Sequence, residues 1–268
     1  MAKKYEELDF TDDFMFCKIL ANNEELCREL LELILDMKIR KVVNVNKQEG
    51  IEVTADGRGI RLDVYAEDAD GTVYDVEMQT TKQSDLPRRS RYYQGMIDLN
   101  LIERGARFAE LKKSFVIFIC LDDPFQEGLP VYTFGNTCMQ MPALELGDDA
   151  VKVFVNADGK VDGMSNDMKE FLDYLKGQPA GEGLAGKIQS EVEKARLHEE
   201  WRTDYMTLLM RDQENIEKGR KLGRAEGRAE GIVVLVNSLK EAKQSTAFIL
   251  DRLMQGYGLS ETDAKKYI

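Results

Sequence analysis

Two acids and one amide have the types and spacing to do chemistry together: Asp63, Glu77 and Gln79, in the stretch from Arg61 to Gln79. From Ile60 onward the residues alternate. Ile60, Leu62, Val64 and Ala66 are apolar, while Arg61, Asp63 and Tyr65 face the other way. Asp70-Gly71 is a turn signal. On the return, Tyr74, Val76 and Met78 share one face, and Val73, Asp75, Glu77 and Gln79 share the opposite one. A hairpin therefore brings Asp63 to Glu77, with Gln79 one pleat further along. Two carboxylates held together repel each other and lose hydration, so the pair needs compensation. A divalent cation is one compensator, and hard oxygen ligands suit magnesium. The other reading pairs Asp63 with Arg61 or another surface cation and leaves Glu77 on a solvated face, as acids on alternating strands often are. Asp75 shares the strand face of Glu77 and reads as a supporting or an exposed acid.

The elements around this hairpin follow from periodicity. Thr11-Asp12-Asp13 is a helix N-cap signal ahead of Phe14, Phe16, Ile19 and Leu20, and the pattern resumes at Leu26, Leu30, Leu31, Ile34 and Leu35. One or two helices are expected from Asp12 to Asp36. A strand is expected from Ile39 to Val45, then a polar, glycine-containing loop through Gly59. After the hairpin, Pro87 suits the first turn of a helix running to about Arg104. Arg88, Arg89 and Arg91 cluster at its start, and Asp85 to Lys113 holds seven Lys/Arg against four Asp/Glu. By charge alone that is a solvated helix face. Ser114 to Leu121 is apolar after its serine, as in a central strand buried on both faces. Further strands are expected at Val131–Phe134 and Val151–Val155, and a helix at Asp167–Leu175.

Beyond a linker at Gly177–Gly183, the chain from Ile188 to about Glu230 is charged and helix-prone. Gly219, Gly223, Gly227 and Gly231 recur there every fourth residue, each costing a helix about 1 kcal/mol relative to alanine. Four on one ridge either permit close helix packing, with a second chain for instance, or make a hinge-like helix joining two parts. Ile232 to Ile268 forms a small helical unit, with Ser260 and Asp263 as a capping box for its last helix. The expected organisation is thus 1–180 as the main domain, 181–231 as a charged helical connector and 232–268 as a helical C-terminal unit.

Composition sets the bounds. The 268 residues suffice for one substantial domain plus an appendage, and the formal net charge of −12 opposes whole-molecule attraction to nucleic acid or anionic membrane without excluding a local basic surface. Cys17, Cys27, Cys120 and Cys138 lie far apart with no CxxC pair, and read as buried thiols of a reducing compartment. The start has no apolar run of the secretory kind, and the longest apolar run, Phe115 to Leu121, is too short to span a bilayer. A cytoplasmic protein is expected. With His198 as the one histidine, read as a surface helix residue, a histidine metal cluster is impossible and most histidine-based hydrolase schemes fall away.

The order through residue 121 is helix, strand, strand, strand, helix, strand. With Asp63 on one core strand and Glu77-Met-Gln79 on the next, this αβββαβ arrangement resembles the PD-(D/E)XK nuclease superfamily, and within it the recombination-promoting nuclease and putative transposase family. The match is carried by Asp13-Phe-Met-Phe-Cys-Lys18, by Asp63 with Glu77-Met-Gln79, by Leu86-Pro-Arg-Arg-Ser-Arg-Tyr-Tyr93, and by Leu111 to Phe125. Phe171-Leu-Asp-Tyr-Leu175 and the charged helix after Gly186 also look like family material. The fold implied is α/β, a restriction-endonuclease-like core with a mixed sheet followed by a helical C-terminal extension.

The resemblance implies a magnesium- or manganese-dependent DNA endonuclease in recombination, mobile-element biology or defence. Asp63 and Glu77 would bind the metal, with the carbonyl of Met78 a further ligand, and the metal would lower the pKa of a bound water and offset charge at the scissile phosphate. Gln79 stands where the superfamily usually has lysine. It can orient a water but is neither a base nor a cation, and it matches the ExQ variant of the family. Asp13 falls where members place an acid on the first helix, although helix capping explains it equally well. Arg89 and Tyr93, one turn apart, would approach the acidic face, with Arg89, and Lys18 likewise, reaching phosphate. The implied partner is DNA, with no small-molecule cofactor and no membrane, and a homodimer through the C-terminal helical region is one reading of the glycine ridge. The competing reading is a non-catalytic DNA-binding or assembly protein that keeps the fold. A small-molecule hydrolase or ribonuclease has no specific residue in its favour.

Overall fold

In the computed structural model, which describes residues 3–51 and 60–268, α1 (Asp13–Ala21) and α2 (Glu24–Leu35) precede a three-strand meander of β1 (Val42–Ile51), β2 (Ile60–Asp68) and β3 (Val73–Gln79). Helix α3 (Leu86–Leu101) crosses over to β4 (Ser114–Cys120). Then come β5 (Val131–Phe134), a small separate hairpin of β6 (Thr137–Cys138) and β7 (Met141–Glu145), and β8 (Ala150–Asn156). The helices α4 (Asn166–Leu175), α5 (Leu184–Arg196), α6 (Glu199–Glu241), α7 (Thr246–Tyr257) and α8 (Glu261–Lys265) complete the chain. The main sheet runs β1-β2-β3-β4-β8-β5. Pairing is antiparallel from β1 to β3, parallel through β3, β4 and β8, and antiparallel again at β5. This is the mixed α/β sheet of the restriction-endonuclease-like class, with its long helical part near the C-terminus.

Both central strands are enclosed. β3 and β4 are buried at all seven positions each, and β4 has a parallel partner on either side, which is why its sequence is apolar on both faces. One layer of the core joins α3 to the sheet through Tyr93, Met96, Ile97, Val116, Phe118 and Phe154. Phe118 stacks on Phe154 at 5.4 Å between ring centroids. At the tip of the β2–β3 hairpin, the Asp68 carboxylate accepts the N–H groups of Asp70 and Thr72 and the Tyr74 hydroxyl, while Gly71 takes a φ of +84°, a left-handed conformation that favours glycine.

Several boundaries differ from the sequence reading. The loop expected after Val45 is strand as far as Ile51, at the edge of the sheet beside β2; residues 52–59 lie outside the described residues. Helix α3 ends at Leu101 rather than near Arg104. The β6–β7 hairpin, exposed at nearly every position, carries no buried alternation by which a sequence pattern could announce it. His198 is exposed between α5 and α6, stacked on Trp201, rather than within a helix.

The chain divides into two compact units, Met1–Arg202 and Thr203–Ile268, the division falling inside α6. In the first, α5 packs against α1, α2 and α4 through buried Leu184, Ile188 and Val192. The second has its own small core of Ile232, Val236, Ile249, Leu253 and Ala264. Ser245 and Ser260 cap α7 and α8 by accepting the N–H groups of Phe248 and Asp263. Among the described residues, no helix is long and apolar enough to cross a membrane.

Candidate functional site

The antiparallel register places Val64 opposite Val76 and Tyr65 opposite Asp75, so Asp63 and Glu77 fall side by side. They are tied reciprocally. The backbone N–H of Asp63 donates to Glu77 Oε1 at 2.9 Å, and the N–H of Met78 donates to Asp63 Oδ2 at 3.1 Å. Asp63 stands at the more open end of the pair, whereas Glu77 is only 2% exposed.

Helix α3 supplies the compensation. One Arg89 nitrogen, Nη2, donates to Glu77 Oε2 at 3.0 Å and to the Tyr93 hydroxyl at 2.9 Å. The other, Nη1, donates to Gln79 Oε1 at 3.0 Å and to Gln83 Oε1 at 2.8 Å. The guanidinium also lies over the rings of Tyr93 and Phe118, at 5.2 and 5.4 Å from their centroids. Gln79 Nε2 donates to the Met78 carbonyl at 3.0 Å, so that carbonyl already has a partner. Arg89 and Tyr93 are one helical turn apart and meet the acidic face together.

Helix α1 brings a third carboxylate. Asp12, not Asp13, occupies the N-cap position, and its side chain caps nothing; it bonds Lys3 and the Asp9 N–H instead. Asp13 is the first helical residue. Its carboxylate pairs with Arg61 at 3.5 Å, and ligand atoms of Asp13, Cys17 and Asp63 lie within 4.8 Å of one another. Sequence reasoning missed Cys17 here. Its place, one turn after Asp13, was the available signal. The Cys17 thiol donates to Asp13 Oδ1 at 3.6 Å, and burial, reinforced by the Asp13 charge, pushes its pKa far up, so it stays a neutral thiol.

Burial raises the carboxyl pKa of Asp63, with the Asp13 charge adding to it, and burial together with the Asp63 charge raises that of Glu77. Asp75, one pleat before Glu77, is 0% exposed, which overturns the exposed reading of it. Among the described residues neither of its oxygens has a hydrogen-bond partner, and burial first, then the charges of Glu77 and Asp63, hold its carboxyl well above the usual range. Lys18 is buried with its ammonium 5.5 Å from the Trp201 ring and 5.6 Å from that of Phe14, so it reaches a phosphate only by leaving that seat.

The donor set fits a hard divalent cation. Asp13, Asp63 and Glu77 offer carboxylate oxygens, and the repulsion that adds to burial in raising the pKa values of Asp63 and Glu77 is what a cation relieves. The neutral thiol of Cys17 adds no charge, and Glu77 would exchange its Arg89 partner to join.

With this geometry in place, comparison with known families becomes informative. Residues 10–133 match the family model described as PD-(D/E)XK nuclease family transposase, a span running from the turn before α1 through β5 that contains Asp13, Asp63, Glu77, Gln79, Arg89 and Tyr93. Neither a curated protein nor a solved structure matches the chain.

Proposed function

We propose that the protein, whose residues 10–133 match the PD-(D/E)XK nuclease family transposase model, is a divalent-metal-dependent DNA endonuclease, using Mg2+ or Mn2+, in recombination, mobile-element or defence biology. The observation that carries this reading is the reciprocal tie between Asp63 and Glu77 on paired strands, with the Asp13 carboxylate beside Asp63. Asp63, Glu77 and Asp13 would hold the cation, which when bound supplies a water of lowered pKa and a positive charge at the scissile phosphate.

The protein's own groups do the rest. The N–H groups of Asp63 and Met78 fix the two carboxylates in place, so little ordering is left to the moment of reaction. Gln79, held at both ends of its amide by Arg89 and the Met78 carbonyl, orients a water but accepts no proton. Arg89 neutralises buried Glu77 and brings to Gln79 the positive charge that glutamine lacks, a charge available to phosphate once Glu77 has another partner. Tyr93 holds the guanidinium from behind.

The test is nicking and linearisation of supercoiled plasmid by wild type and Asp63→Ala, both confirmed folded, with and without Mg2+ or Mn2+. Metal-dependent cutting by wild type and a loss on the order of a thousandfold in Asp63→Ala, equivalent to about 4 kcal/mol of transition-state stabilisation, are expected. Cutting that persists in Asp63→Ala refutes the site assignment. The alternative, a non-catalytic DNA-binding or assembly protein on this fold, is favoured by the Arg89–Glu77 pair, which balances the site without a metal. DNA binding without cutting under any metal would select it.

A further inference from the structure

Beside the carboxylates opens a cleft of about 390 Å³ whose walls include Arg61 from β2 and Asp85, Arg88, Arg89, Tyr92 and Tyr93 from α3 and its N-cap. Three guanidinium groups and two phenol rings in one cleft are unusual for an acidic chain of net charge −12. The helical spacing explains the lining. Asp85, Arg88, Arg89 and Tyr92 recur at intervals of three and four residues, so they share one face of the start of α3. Tyr92 is 42% exposed, so part of its ring is open to a ligand in the cleft.

Two of the cationic walls of the cleft are also the groups that touch the acids: Arg61 pairs with Asp13, and Arg89 with Glu77. Whatever fills the cleft therefore lies within one side chain's length of the proposed cleavage site. Its chemistry is mixed. Cations suit a phosphate, flat phenol rings suit a planar heterocycle, and the Asp85 carboxylate suits the amino and imino N–H groups on the edge of a base. The volume suits one small ligand, not a double helix. A base inside a duplex has both faces stacked and its edge paired, so it can enter only when unpaired or turned out of the helix.

Resting on the phosphodiesterase reading above, we propose that this cleft is a subsite for a single unpaired nucleotide next to the scissile phosphate, with the base stacked on Tyr92 and its phosphate between Arg61 and Arg89. The substrate class is then DNA with single-stranded character at the cut: a single strand, an overhang, or a junction between paired and unpaired segments.

The experiment uses the full-length protein carrying Asp63→Ala, so that the DNA stays intact. Binding of a short labelled single strand and of a blunt duplex of the same sequence is compared by fluorescence anisotropy, and 2-aminopurine in the single strand reports stacking through quenching. Expected are about tenfold tighter binding of the single strand, quenching on binding, loss of both in Tyr92→Ala, and their retention in Tyr92→Phe. Arg88→Gln serves as a second variant and lowers single-strand affinity more than duplex affinity. Equal binding of the two DNA forms, absence of quenching, or a preference unchanged by Tyr92→Ala overturns the subsite. If wild type cuts duplex plasmid while no single-strand preference exists, this inference alone falls. If wild type neither cuts nor binds DNA of either form, the nuclease reading has failed and the subsite falls with it.

Discussion

On β3, Asp75, Glu77 and Gln79 are buried in a strand enclosed by neighbours on both sides, where polar groups are costly. Along α6, Gly219, Gly223 and Gly227 interrupt a helix where glycine is costly, and a Cβ built on any of the three meets nothing within 4 Å. Both regions break the rules of their own secondary structure. On β3 the surroundings answer the violation at Glu77 and Gln79: Arg89 from α3 and a backbone N–H from β2 converge on Glu77, and Arg89 also donates to Gln79. Along α6 nothing in the second unit touches those three glycines, and only Gly231 comes close to a neighbour, the Tyr257 hydroxyl 3.0 Å from its built Cβ. A buried polar residue whose partners come from several separate elements marks a built site. A repeat met by nothing in its own unit has, so far, only local consequences.

The comparison is sharpest at Arg89. Arg89→Met should leave Glu77 buried without its counter-charge and cost the metal-free protein roughly 3 kcal/mol, measured by urea denaturation. The sign with pH is fixed by the raised Glu77 pKa. At about pH 5 folded Glu77 can take up a proton and the loss should be small; it should grow as pH rises and the proton is released. A loss that does not vary with pH would mean that Arg89 acts by packing on Tyr93 and Phe118 and not by charge.

Asp75 tests the same strand where no partner answers. Because its carboxyl pKa is raised in the folded state, the native protein retains a proton that the unfolded chain has released above about pH 4, so folding stability declines as pH rises. Asp75→Asn removes that ionisation. Relative to wild type it should be neutral near pH 4 and more stable at about pH 8, by on the order of 1 kcal/mol or more, or roughly 2–4 °C per kcal/mol in a thermal melt. Equal melting curves at both pH values would show that Asp75 has a partner or stays ionised.

The smallest effect belongs to α6. Gly223→Ala should stabilise its helix by up to about 1 kcal/mol, seen as higher helicity and a higher melting temperature, with plasmid cutting unchanged. Lost cutting, or a change of oligomeric state, would mean that the glycine ridge is a contact surface after all.

How much could be read beforehand differs between residues for physical reasons. The alternation from Ile60 to Gln79 fixed which residues share a face, and with a turn at Asp70-Gly71 that alone pairs Asp63 with Glu77, because a strand has a period of two and a register slip would bury the wrong face. The apolar run at β4 likewise announced a strand buried on both sides. Edge strand β1 was legible only over its first residues, Val42–Val45, and the β6–β7 hairpin, exposed at nearly every position, left no such imprint.

Short-range periodicity thus determined the elements, the hairpin and the pairing of Asp63 with Glu77. Only the tertiary structure decided that Arg89 serves Glu77, that Asp13 and Cys17 stand beside Asp63, that Asp75 is sealed in with no hydrogen-bond partner among the described residues, and that Arg61 and Tyr92 face one cleft. Those contacts join residues far apart in the chain. Their energies depend on burial and on distance between elements, and neither quantity is carried by any local window of sequence.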